Sequence, residues 1–438
     1  MQALLSFDQA PPISAPFRFF LTAPVFALLA GLLLLASGPQ LLASRWTPAA
    51  LALTHLITVG FMLQVMLGAL IQILPVVAGA NIAQPLRVAI LVHALLVPGA
   101  LLLVVGLLLS DTLALRLAAV TLGLGVAIFL AAAGRALWGV PSGNPTIVGL
   151  KLALLGLAIT TGLGIVLALA LGGSFALPLL QLTTIHFAWG FVGWSTILLA
   201  AVSLVVVPMF QMTPPYPHWF ARLFFWSVLV VLAGWSTAHF LEWQQPADVL
   251  ASGMLLLLTV FAALTLHLQR HSKRARFDAT QRYWRLAMLS ALAASTLSLI
   301  SLLLPEAAAS RQLPLLWGVL VLFGSLMSVS TGMLYKIVPF LVWLHLQNAG
   351  GGRILAPNMQ QVIAKRQIDH QFHAHVAALA LLLAAALQPA WFTYPAAVAL
   401  LVASGWLLHN LLAATAFHRQ HRQRIVNLAR ATPAPRPG

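Results

Sequence analysis

The chemistry open to this chain rests on histidine. Fourteen histidines stand beside only seven acidic residues, and imidazole is the commonest metal ligand among side chains. Three of them lie a turn or two from the same end of separate apolar runs. They are His55 in Thr54–Pro75, His186 in Ile185–Pro208, and His239 in Gly234-Trp-Ser-Thr-Ala-His-Phe240. Brought to one level on neighbouring helices, these imidazoles can bind haem iron or copper. Each also reads as a buried histidine that hydrogen-bonds an adjacent helix. Trp189, Trp194 and Trp235 stand near them in sequence and are candidates to line such a pocket.

The other polar residues call for milder chemistry. His93, His345 and His409 fall toward the opposite end of their runs, where packing or headgroup contact accounts for them. In Asp369-His370-Gln-Phe-His373-Ala-His375 the first two histidines share a helix face and the third is rotated away. A solvated helix start with Asp369 as N-cap is the expectation there, and a surface metal site the alternative. Lys336 beside Tyr335 reads as a snorkelling lysine or as part of a proton path. The acids form no paired-carboxylate site, which argues against a carboxylate-driven pump or antiporter. There are no cysteines. Disulfides, thiolate metal sites, iron–sulfur clusters and covalently attached haem are therefore excluded.

The elements that must position these residues are membrane helices. Hydrophobic residues make up 61% of the chain and charged ones 7%, against about 25% charged in soluble domains. Twelve runs are long enough to cross a bilayer: 17–37, 49–77, 87–109, 115–137, 149–171, 178–208, 219–242, 247–269, 284–304, 314–344, 374–389 and 391–417. They are continuous and rich in Leu and Ala, not alternating, so helices are expected and a β-barrel is not. Residues 1–16 do not have the pattern of a cleavable signal peptide.

The runs repeat. Pro75 and Pro208 stand 133 residues apart (208 − 75), and Pro208 and Pro339 stand 131 apart (339 − 208). Gly68, Leu70 and Ile73 recur as Gly332, Leu334 and Ile337. His55 with Gly60-Phe61, and His186 with Gly190-Phe191, look like equivalent places in the first two copies. A fixed period signals repeated architecture. The expected fold is all-α, a polytopic bundle in three pseudo-repeats of four helices, about 1–140, 141–272 and 273–417. A basic tail, 418–438, follows, and its end from Ala431 is expected to be disordered.

The net charge of +16 does not mean nucleic acid, because the basic residues sit at helix ends. With the N-terminus inside, Arg45, Arg116 and Arg311 lie outside with four acids, and the remaining basic loops lie inside. The positive-inside rule then places both termini in the cytoplasm, and a bacterial inner membrane is the expected location. The lipid bilayer is the one partner that follows from composition.

Twelve spans in three arcs, with histidines on spans two, six and seven toward one face, resemble the catalytic subunit of haem-copper oxidases and nitric oxide reductases. The resemblance covers the whole chain in architecture, and its motifs are short. It implies haem and copper as cofactors. By that likeness His55 is an axial haem ligand, and His186 and His239 are ligands of a second metal, all three facing one cavity. It also implies a gaseous ligand and a role in nitric oxide or respiratory gas metabolism, as in the NnrS-type membrane proteins. Trp317–Pro339 departs from the family: it lacks the two span-ten histidines, which argues against full oxidase chemistry. A membrane transporter and a cofactor-free assembly protein are the competing readings.

Overall fold

The computed structural model describes residues 11–274, 278–304, 310–350 and 354–431. Most of the proline-rich tail, the first ten residues, and the charges of Arg276, Glu306, Arg353 and Arg436 lie outside the described residues.

Twelve helices are long and apolar enough to cross a membrane. Spans one to four are Ser14–Ala43, Pro48–Ala78, Pro85–Leu109 and Thr112–Trp138. Spans five to eight are Pro145–Leu171, Leu179–Gln211, His218–Phe240 and Gln244–Arg270. Spans nine to twelve are Ala279–Leu303, Gln312–Ala349, Lys365–Leu387 and Pro389–Leu428. The protein is a polytopic membrane helix bundle, and among the described residues there is no strand.

Local chemistry fixes where the helices begin and end. Thr47, Asp111, Asn144 and Asp278 cap spans two, four, five and nine by accepting from backbone N–H groups at 2.7–3.1 Å, each satisfying an orphan donor of the first turn. Pro48 and Pro145 follow two of these caps, where a missing N–H costs nothing. Gly79 ends span two in the left-handed conformation. Met212, 133 positions on, ends span six the same way without the freedom of glycine.

Two sequence boundaries move. Span eleven begins at Lys365, nine residues before the expected start, and Ala364 is its N-cap. Asp369 is therefore not a cap: it lies in the second turn and pairs with Arg282 of span nine. Span twelve runs on helically to Ala431, so the basic segment after 417 continues the helix.

Spans two, six and ten form the middle of the bundle. The others pack as arcs, and span one lies along span twelve to close the ring. Lipid tails are as apolar as these side chains, so close packing and hydrogen bonds, not burial from water, hold such helices together.

Each inner span contains a π-helical stretch: Leu56–Leu63, Trp189–Thr196 and Leu320–Met327. The stretches share the period of the prolines. In all three, the proline follows the first π residue by 19 positions (75 − 56, 208 − 189, 339 − 320). The hydroxyls of Ser195, Thr196 and Ser328 reach back five residues to the carbonyls of Gly190, Phe191 and Phe323 at 2.8–3.1 Å. They occupy acceptors that the widened turn leaves exposed. Gly60, Gly193 and Gly324 take the fifth place of each stretch, where a Cβ would lie 2.4–2.7 Å from Phe26, Trp189 or Ser290.

Below these stretches the inner spans part around a cavity of about 170 Å³. Leu70, Gln72, Val202, Val206, Val329 and Met333 are among its walls, which are almost wholly apolar.

Candidate functional site

His55 is the last residue before the π stretch of span two. Its Nδ1 lies 2.7 Å from the Leu51 carbonyl, one turn back. A carbonyl only accepts, so Nδ1 carries the proton and Nε2 keeps its lone pair. His186 repeats the arrangement by other means. Its Nδ1 donates to the Thr160 carbonyl of span five at 3.0 Å, which also leaves Nε2 as the free ligand atom. Gly164, on the same helix as Thr160, makes room for the ring: a Cβ there would stand 3.1 Å from the imidazole Cε1. The two imidazoles, on spans two and six, are within electrostatic range of each other.

The two are not equivalent in the repeat. The π stretches set the phase, and by that phase His55 corresponds to Ala188, while His186 corresponds to Leu53 and to Trp317. The Gly-Phe pairs suggest a different alignment, and the structure corrects it: Gly60 matches Gly193, not Gly190.

His239 lies at the same end. Gln181, at the start of span six, donates to Glu242, just beyond span seven, at 2.6 Å. The His239 ring stacks on Trp235 with centroids 5.0 Å apart, and its Nε2 is buried with no partner. Among the described residues, however, no three His, Cys, Asp or Glu side chains stand close enough together to hold one metal ion. The structure thus sets His55 and His186 within electrostatic range of each other and does not gather all three histidines into one ligand set.

The tryptophans divide. Trp235 lines a second cavity, of about 310 Å³, together with Phe187, Phe191, Ser295, Trp317 and Ser325. Trp189 and Trp194 are buried within the bundle, Trp189 donating to Ser236 at 3.0 Å. At the place equivalent to His186, Trp317 packs on Phe187 and Phe191 and donates to Ser298 at 2.8 Å. Span ten thus fills with an indole the position that span six gives to an imidazole.

His93 bonds Thr22 at 2.8 Å and meets Phe19 edge-on, so it joins span three to span one. His345 lies between the carbonyls of Leu341 and Pro11. These act as packing residues. Sequence reasoning missed a polar group in the third repeat. His375 is buried, 2.8 Å from Ser328. Tyr283 donates to Gln371, whose amide donates to the Ala403 carbonyl at 3.1 Å. Asn410 donates to Tyr335 at 2.9 Å. The available signal was Gln371 and His375, four apart and so on one helix face.

Compared with known proteins, the chain matches no family model, and no curated protein shows significant similarity to it.

Proposed function

We propose that the protein binds haem or copper through His55 and His186 and serves nitric oxide or respiratory gas metabolism. One observation carries this reading: two imidazoles on separate inner helices, within range of each other, each held by Nδ1 to a backbone carbonyl with Nε2 free. Such a hydrogen bond fixes the tautomer and raises the basicity of the other nitrogen. Imidazole suits iron and copper alike.

Haem iron, when bound, supplies an open coordination position for a diatomic gas. The chain's own residues orient and shield the site. Leu51 and Thr160 fix the rings, Gly164 leaves space at His186, and the buried Leu56, Ile57 and Ile185 keep water away. The apolar 170 Å³ cavity between spans two, six and ten is of a size that takes up small apolar molecules. Charge supports an orientation with both termini cytoplasmic.

The test is an optical spectrum and metal analysis of the purified protein, expressed with haem and copper supplied. A Soret band or bound copper, lost in His55→Ala and in His186→Ala, is the expected result. A folded, colourless and metal-free wild type would overturn the reading and favour a transporter or assembly role.

A further inference from the structure

The three repeats are alike in backbone and unlike in polarity. Phe19 presses its Cβ region on Gly68, and Tyr283 presses its own on Gly332, 264 positions further on in both cases. The first repeat can therefore be laid on the third residue by residue. At four buried places the first has Phe17, Phe19, Leu67 and Ile71, and the third has Gln281, Tyr283, Thr331 and Tyr335. The second repeat has Leu150, Leu152, Ala200 and Leu204. At these four places only the third repeat is polar; the first has buried amides of its own, Gln64 and Gln72, at the places of Ser328 and Lys336.

Its polar groups begin at the basic end of the bundle, where spans nine and eleven start. Arg282 pairs with Asp369, and Lys336 lies 3.7 Å from Asp278. One residue deeper, Tyr283 meets Gln371. The Tyr283 ring stands 6.3 Å from that of Tyr335 and 5.3 Å from that of His375. His375 ends the series on Ser328, at the edge of the π stretch of span ten. Along this series the Gln281 amide, Trp284 Nε1, Thr331 Oγ1 and Ser404 Oγ are buried with no protein partner. Buried polar groups without protein partners are met by ordered water, and polar residues inside a membrane bundle mark aqueous or ionic paths.

We infer that the third repeat contains a hydrated inlet, open at the basic end and closed at the His375–Ser328 pair, which admits water and protons to the middle of the membrane. Tyr283, Tyr335 and His375 are its protonatable side chains. Arg282, Lys336, Asp278 and Asp369 are the charges at its mouth. The places of Gln281, Tyr283, Thr331 and Tyr335 are apolar in the first two repeats. The inlet does not depend on metal binding at His55 and His186.

The chain has no native cysteine, so single cysteines can report access without background. Thr331→Cys, Ser404→Cys and Ser328→Cys are placed in sealed vesicles of known orientation, with Leu67→Cys as the first-repeat counterpart of Thr331. Silver ion is offered from one bath, and the remaining thiol is counted with a maleimide after denaturation. The expected result is blocking at the three third-repeat positions from the basic-end bath only, at least tenfold faster than at Leu67→Cys. A small methanethiosulfonate, which needs the thiolate, should modify Ser328→Cys at a rate that follows the pH of that same bath. Equal rates at Leu67→Cys, access from the opposite bath, or no blocking in variants that elute as the native protein would overturn the inlet. A rate at Ser328→Cys indifferent to that pH would overturn its proton access.

Discussion

Gly156 of span five lies directly against the backbone carbonyl of Gly193, the fifth residue of the second π stretch; a Cβ on Gly156 would sit 2.0 Å from that oxygen. The neighbour is backbone and cannot swing aside. Overpacking of this kind costs about 1–3 kcal/mol. Gly156→Ala is expected to fall at the top of that range in a detergent unfolding titration. Gly134→Ala, where nothing lies within 4 Å of the added carbon, should be neutral or gain about 0.5–1 kcal/mol.

The Gln269 amide donates to Gln211 at 2.8 Å, and both side chains are buried between spans eight and six. Gln269→Leu leaves the Gln211 carbonyl oxygen without its donor, at a cost of about 1–3 kcal/mol. The double variant Gln211→Leu/Gln269→Leu removes both polar groups and should be more stable than either single one. A double-mutant cycle in thermal unfolding reads the difference. A double variant as unstable as the sum of the singles would refute the pairing.

Tyr216, in the connection between spans six and seven, is buried with its hydroxyl 2.8 Å from Thr265. Burial pushes the phenol up to about 12 from its ordinary 10. A raised pKa means that the folded state holds the proton more tightly. The resulting stability is complete below pH 10 and is lost as pH climbs toward 12. An alkaline melting series should show this loss, and Tyr216→Phe should flatten it while lowering stability at pH 7 by about 1 kcal/mol.

If the cofactor site is the His55–His186 pair, its third neighbour is dispensable. His239→Ala should change haem or copper affinity by less than about twofold, whereas loss of either paired histidine should cost at least about tenfold, the low end for ligand-shell changes. An His239→Ala protein that loses its metal would show that all three imidazoles act together.

The twelve spans and their period were legible because a bilayer demands long apolar runs and because Pro75, Pro208 and Pro339 stand out within them. The π stretches were not. A run apolar on every side has no polar face from which to read a turn of five in place of four, and the Gly-Phe pairs offered a false phase. The early start of span eleven was hidden because Lys365, Arg366 and Asp369 lower its hydropathy. The Arg282–Asp369 pair and the Trp406–Gln367 hydrogen bond hold that turn against its neighbours. That His55 and His186 come within electrostatic range depends on helix packing across 131 residues (186 − 55), and no local spacing announces it. The polar third repeat was missed for a related reason: Tyr283 and Gln371 read singly as helix-end residues, and only their contact makes them a core.

The three π stretches divide the protein into two storeys. One extra residue in a turn rotates everything after it by about 100°. The side of each inner helix that faces the axis near His55 and His186 is therefore not the side that faces it beside the lower cavity. Because the same offset occurs in all three helices, the storeys stay matched to each other. The histidine floor and the cavity floor can thus change their side chains separately, with each substitution confined to its own level by a shared twist in the backbone.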